Sequence, residues 1–267
     1  TDPIADSNTL MRDGGMDRSK LEALLQDVKE GRVSIDAAAG QLQAAPVLDL
    51  GFANIDQQRH LRCGFPEVIY SEGKTPEQVV TIMRKVAERE TICLATRVSP
   101  EQASLLVREI PGIQIDSVSR IAWMGEMPQP MGGIVRVVSA GTSDLPVARE
   151  AELTARALGC ETTLIADVGV AGLHRLLARI PELVQADAVV VVAGMEGALP
   201  SVVGGLVDCP VVAVPTSVGY GANFQGVSAL LCMLTSCAAN VTVVNIDAGF
   251  CGGFVAGLIA RRARKGD

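Results

Sequence analysis

From residue 134 onward the sequence repeats one pattern five times: a short run rich in Val, Ile and Ala, then a longer segment with helical periodicity. The apolar runs fall at 134–140, 161–166, 187–193, 210–215 and 241–246. Helical segments follow at 144–158, 172–183, 197–207, 224–235 and 252–264. Continuous β-branched runs mark strands buried on both faces. Strands that alternate with helices make an open parallel sheet with right-handed crossovers. In such a sheet ligands sit at the carboxyl ends of the strands, so chemistry is expected in the loops that follow them.

The chain has 267 residues, 48% hydrophobic and 20% charged, enough for one large domain or two small ones. Upstream of the alternation the pattern changes. Residues 1–16 have no apolar period and read as a disordered extension. Helices are expected at 19–30, capped by Ser19 and ended by Gly31, and at 34–43. Strands are expected at 67–71, 91–97, 113–118 and 121–124. Thr75 and Ser99, each followed by Pro, announce helices at 76–89 and 100–109. Residues 17–128 thus read as a small α+β domain. The segment GEMPQPMGG (125–133) reads as a linker, and residues 129–267 as a larger α/β domain.

Several function classes are disfavoured. Aromatic residues are 3% and the net charge is −7, which argues against a nucleic-acid partner. The basic tail, Arg261, Arg262, Arg264 and Lys265, suits a helix C-terminus. Seven cysteines without a CxxC pair, beside two histidines, fit neither a zinc site nor a disulfide framework. The expected compartment is the reducing cytoplasm, and the polar first twenty residues do not read as a signal peptide. The most apolar stretch, 187–208, contains Glu196 and Pro200. It reads as a buried strand and helix, not a membrane span.

Five loops carry the candidate chemistry. In SAGTSD (139–144), Gly141 permits an unusual turn and the following helix offers free N–H groups to a phosphate or hydroxyl. Asp144 either accepts from ribose hydroxyls or caps its own helix. In DVGVAGLHR (167–175), His174 follows a strand end, where it is either a site residue or an ordinary histidine. Arg175 beside it suits a phosphate. Glu196 interrupts an apolar stretch, where a carboxylate is costly unless paired or used for acid–base work; the alternative is a helix N-cap. Gly219 and Gly221 let the backbone of 215–226 approach a bound phosphate. Cys237, between a helix and the last strand, reads on pattern alone as a small hydrophobe.

Two resemblances follow from these segments. GTSDLP (141–146), His174-Arg175 and AGMEGALP (193–200) resemble loops of the PurE family, the aminoimidazole ribonucleotide carboxylases and carboxyaminoimidazole ribonucleotide mutases. Ala198 departs from that family, which places a histidine there, and Glu196 is an addition. The longer resemblance runs from Met16 onward, through LRCGFPEVIYSEGKTPEQ, DVGVAGLHRLL, AGMEGALPSVVGGLV, VPTSVGYGANFQGVSALL and LTSCAANVTVVNIDAGFCGG. These segments are similar to the LarB family, pyridinium-3,5-biscarboxylic acid mononucleotide synthases of nickel-pincer cofactor biosynthesis.

The resemblance implies a PurE-like (flavodoxin-like) three-layer domain with a parallel sheet, preceded by a small α+β domain. It implies that nicotinic acid adenine dinucleotide is carboxylated at ring C5 with CO2 and hydrolysed to release AMP. It puts Cys237 in the role of a nucleophile adding at ring C4, overturning the reading from pattern alone, and Glu196 in that of acid–base. Ser143, Asp144, His174 and Arg175 would hold ribose and phosphates, and Gly141, Asp167, Gly194, Met195 and Gly219 would join them in binding the substrate. Trp123 would stack on a ring, or serve as core, and Lys74 would meet a phosphate or carboxylate, or simply be solvated. A Mg2+ ion at the pyrophosphate is the one cofactor considered, without a motif for it. The expected partners are the dinucleotide, CO2 or bicarbonate, and further copies of the chain, since PurE-like domains form octamers. The competing functions are a PurE-type carboxylase and a nucleotide-binding module without turnover.

Overall fold

A computed structural model of the protein describes residues 18–43, 47–57 and 59–264. The extension expected over 1–16 and Lys265 of the basic tail lie outside the described residues. The chain divides into two compact units. One holds the residues through Ile115 with Ala122–Glu126; the other holds Asp116–Ile121 and the residues from Met127 onward.

The first unit opens with α1 (Arg18–Lys29) and α2 (Ile35–Gln43). Since α1 already starts at Arg18, Ser19 stands inside its first turn and is not its cap. Ser34 does cap α2, its Oγ accepting from Ala37 N at 3.1 Å. A short antiparallel hairpin, β1 (Val47–Asp49) and β2 (Asn54–Asp56), and the one-turn helix α3 (Arg59–Cys63) were not evident in the sequence pattern. β3 (Val68–Tyr70), α4 (Pro76–Ala87) and β4 (Ile92–Thr96) form a β-α-β unit with parallel strands. After α5 (Pro100–Glu109) and β5 (Gln114–Asp116), β6 (Ile121–Gly125) returns antiparallel to β4. The sheet order is β3-β4-β6-β5. Thr75 and Ser99 cap α4 and α5 as expected, each in a capping box with the Gln three residues on. Every position of β4 is buried, and Cys93 and Ala95 share a core with Val79, Met83 and Leu106.

The second unit is the alternation read from the sequence. Its elements are β7 (Ile134–Ser139), α6 (Leu145–Ala157), β8 (Glu161–Ile165), α7 (Leu173–Leu177), α8 (Ile180–Leu183) and β9 (Ala188–Ala193). They continue with α9 (Leu199–Gly204), β10 (Val211–Pro215), α10 (Val227–Leu234), β11 (Val241–Val243) and α11 (Gly249–Ala263). All strand pairs are parallel, in the order β11-β10-β9-β7-β8. The chain therefore starts inside the sheet, steps out to β8, and returns past β7 to build the other half. This is the flavodoxin-like order, with its switch point between β7 and β9.

Helices cover both faces. α6 and α11 lie against each other over one face. They approach so closely that a Cβ at Gly253 would fall 2.1 Å from the Ala151 carbonyl oxygen. On the other face, Leu176, Leu183, Leu199, Val203, Ala229 and Met233 share a core with Val138, Val189, Val191, Val211 and Ala213. Two elements differ from expectation. The helix expected over 172–183 is two short helices, because Pro181 has no N–H to continue the ladder. The strand expected over 241–246 ends at Val243. It is an edge strand, and beyond it Asn245 Oδ1 accepts from Ile246 N at 2.8 Å, a local bond that competes with the ladder.

Candidate active site

The switch point opens into a cleft of about 290 Å3 at the carboxyl ends of β7 and β9. The loop after β7 contributes Ala140, Gly141, Ser143 and Asp144, and the loop after β8 contributes Gly169, Val170, Ala171 and, at α7, Arg175. The loop after β9 supplies Ala193, Gly194, Met195, Glu196, Ala198 and Leu199; Val218 closes the wall beyond β10. Another hollow, beside Glu67 and Arg89, has a volume of about 10 Å3, room for a single water.

Asp144 ties the cleft together. It is 4% exposed, and its Oδ2 accepts from Gly141 N at 2.9 Å while its Oδ1 accepts from Thr216 Oγ1 at 2.7 Å. Gly194 N also donates to it. Burial outweighs these bonds and, with Asp247 nearby, holds its carboxyl above the ordinary value of 3.8. Both oxygens thus serve to join the loops after β7, β9 and β10. Of the two sequence alternatives, capping is not seen, since Asp144 makes no capping bond to α6; the residue lines the cleft. Ser143, one residue earlier, is exposed on the wall.

The β9 loop is equally constrained. A Cβ on Gly194 would fall 2.3 Å from Val218 O, so only glycine lets these two loops meet. Met195 holds a left-handed backbone at φ 51°, and its N–H donates to Val218 O at 2.9 Å. Glu196 follows in the same turn. It is exposed at the cleft, not buried among apolar groups as the sequence had suggested. The apolar stretch is interrupted there because the chain leaves the sheet.

Arg175 lines the cleft and donates from Nη1 to Asp167 Oδ2 at 2.6 Å, joining two of the expected site residues. Both side chains are partly exposed, so the pair is worth at most about 1 kcal/mol. Gly219 adjoins the lining Val218. His174 is exposed on α7 and is not among the lining residues.

Cys237 also lies outside the lining. It is exposed, on the connection from α10 into the amino end of β11, whereas the cleft lies at the carboxyl ends. The neighbouring Ser236 Oγ is 2.8 Å from Ser201 Oγ. Burial pushes the thiols of Cys93, Cys160 and Cys209 up to about 12, 11 and 11, which makes them poor thiolates at neutral pH. Trp123 and Lys74 belong to the first unit. Trp123 stands opposite Leu94 in the β4–β6 ladder, its Nε1 buried without a partner. Lys74 Nζ donates to Tyr70 O at 2.6 Å and lies 5.9 Å from the Tyr70 ring centroid. Among the described residues no group of three or more His, Cys, Asp or Glu side chains is placed to hold a metal ion.

Sequence reasoning missed two buried polar residues of the site, Thr216 and Asn223. Thr216 follows directly on β10, so the strand-end rule could have found it. Asn223 had no such signal.

An open α/β sheet with its cleft at the switch point defines a small-molecule-binding domain. The comparisons narrow this class. Residues 47–126 match the family model described as the LarB/PurE-like N-terminal domain, and residues 134–265 match that described as AIR carboxylase. An uncharacterized protein of Methanocaldococcus jannaschii is 37% identical over 255 residues, covering 92% of this chain and 98% of that protein. A crystal structure of a PurE protein from Treponema denticola aligns with TM-score 0.40 and 20% identity, over 51% of this chain and 81% of that one. A flavodoxin from the domain Archaea aligns with TM-score 0.33 and 14% identity, over 49% of this chain and 99% of that one. The chain belongs to the LarB family, with a PurE-like C-terminal domain. Its two domain matches are those of a carboxylase-type enzyme.

Proposed function

We propose that the protein carboxylates C5 of the pyridinium ring of nicotinic acid adenine dinucleotide and hydrolyses its phosphoanhydride, the first step of nickel-pincer cofactor biosynthesis. The observation that carries this reading is one cleft lined by a carboxylate, Glu196, a guanidinium, Arg175, and the Ser143 turn at the head of α6. At about 290 Å3 it is at the small end of ligand pockets, large enough for about half of a dinucleotide. Arg175, the exposed Ser143 and the N–H groups of this turn would hold the phosphates.

The chemistry requires a nucleophile because a pyridinium is electron-poor. The Cys237 thiolate adds to C4, and the ring electrons move to give an enamine across C5 and C6. C5 then attacks the carbon of CO2, forming a C–C bond and leaving an iminium at the ring nitrogen. Glu196 takes the C5 proton, the C–S bond breaks, and aromaticity returns as the thiolate leaves. Water attacks the diphosphate, the P–O–P link breaks, and AMP departs. A Mg2+ ion at the diphosphate would take its ligands chiefly from phosphate oxygens and water, as that ion commonly does.

Because Cys237 lies away from the cleft, the reading includes a homo-oligomer in which a second copy supplies the thiol. From Cys209 to Ile246 the chain has no Asp, Glu, Lys or Arg. Val227, Leu231 and Leu234 form an exposed stripe on α10, continued by exposed Tyr220 and Phe224. A helix apolar on all sides is one that is buried, here by another copy. α10 runs from the cleft wall to the Cys237 loop, so a two-fold pairing of α10 brings one copy's thiol toward the other's cleft.

The test is incubation of the protein with the dinucleotide and 13C-bicarbonate. Release of AMP with a mononucleotide carrying one added labelled carboxyl supports the reading. Unchanged dinucleotide with folded protein overturns it. The AIR carboxylase match favours a second reading, carboxylation of aminoimidazole ribonucleotide, which the same assay with that substrate decides. Ala198 in place of the PurE histidine weighs against it.

A further inference from the structure

Asn223 is 6% exposed, and it lies in the most contorted segment of the second unit. Phe224, Gln225 and Gly226, which follow it, all have left-handed backbones, at φ 46°, 54° and 95°. Its carboxamide is used at both ends. Nδ2 donates to Met195 O at 3.0 Å and, more weakly, lies 3.4 Å from Val218 O. Oδ1 accepts from Gly226 N at 2.7 Å. The carbonyls on one side and the N–H on the other fix the orientation of the amide. No other side chain of this length offers a donor and an acceptor together. Asp lacks the donor, and Leu lacks both.

The bond to Met195 O acts on the peptide that links Met195 to Glu196. Met195 pays for its left-handed backbone, a conformation a Met rarely adopts. Met195 is thus held on both sides, its N–H, in the preceding peptide, donating to Val218 O at 2.9 Å and its carbonyl accepting from Asn223. On the far side of Glu196, Gly197 N donates to Gly194 O at 2.9 Å. The Glu196 side chain itself is exposed, so this backbone clamp is what aims it. The loop is shaped to admit the clamp: a Cβ on Gly219 would fall 2.6 Å from the Asn223 amide carbon.

We propose that Asn223 is a positioning residue for the reaction: it sets the Met195–Glu196 peptide so that the Glu196 carboxylate meets the proton to be removed. This rests on the reading of Glu196 as the base. Displacing a base by about 1 Å costs roughly 100-fold in rate while substrate binding, which draws on Ser143 and Arg175, persists.

The experiment compares Asn223→Asp, Asn223→Ala and Gly219→Ala with the parent and with Glu196→Gln, using dinucleotide protonated or deuterated at C5. For the Asn223 variants kcat for carboxylation is expected to fall roughly 100-fold, with KM within about threefold. The primary isotope effect on kcat should rise as proton removal becomes limiting. Gly219→Ala displaces the amide without deleting it and should show the same isotope signature, so it serves if an Asn223 variant does not fold. Parent-like kcat and isotope effect in a folded Asn223 variant, or in Gly219→Ala, beside an inactive Glu196→Gln overturn the inference and leave the reading standing. A fully active Glu196→Gln overturns the reading itself.

Discussion

Asp144 shows how one buried carboxylate couples stability to pH. Its folded-state pKa is raised above 3.8 because burial outweighs the bonds from Thr216, Gly141 and Gly194. Just above that pH the folded chain binds more protons than the unfolded one, so the Asp144 contribution to stability falls as pH rises and then levels off. The stability advantage of the parent over Asp144→Asn is therefore expected to be largest below pH 3.8 and to shrink as pH rises through that value and on to the folded-state pKa above it. Urea denaturation of both proteins across that range measures it; an advantage that grows with pH contradicts the assignment. Much of the site at this scale was legible, because Gly141, Ser143, Arg175, Gly194 and Glu196 all follow a strand's carboxyl end. Thr216, directly after β10, was within reach of the same rule, whereas Asn223 was not, because what matters about it is a partner 28 residues away.

The elements that could be read are those whose signals are local. Thr75-Pro-Glu-Gln and Ser99-Pro-Glu-Gln carry cap, first-turn proline and capping-box partner within four residues, and both helices start as expected. Gln102 goes further than its box. It is 4% exposed, and its Nε2 donates to Ser71 O at 2.9 Å and to Lys74 O at 2.8 Å, tying α5 to the loop that enters α4. Thr75→Ala is expected to cost about 1 kcal/mol, the ordinary loss of a cap. Gln102→Ala is expected to cost roughly 2–3 kcal/mol, because it also strips partners from two carbonyls. Chemical denaturation of the two variants tests the order.

At the scale of the whole molecule the question is how many chains make one active site. If Cys237 acts in a neighbouring copy, Cys237→Ala and Glu196→Gln are each inactive alone. Mixed after dissociation and reassembly, they should recover about a quarter of parental activity for a two-fold pair, since random pairing leaves one intact site in each mixed pair. No recovery in reassembled mixtures means that thiol and carboxylate act within one chain. Leu231→Glu, which puts a charge into the uncharged stripe, should lower the mass measured by light scattering.

The alternating strands and helices, the two-part organisation, the helix caps and the family itself follow from residues close together in the chain, where backbone propensity and short-range hydrogen bonds dominate. The strand order β11-β10-β9-β7-β8 depends on which buried face finds which partner, and it is this order that makes one cleft from the loops after β7 and β9. Tertiary packing likewise turned the Asp144 carboxylate inward, exposed Glu196, and set Cys237 on the amino-end side of the sheet. Long-range burial sets such directions, because a side chain's dielectric surroundings and hydrogen-bond partners come from segments the chain brings together only on folding.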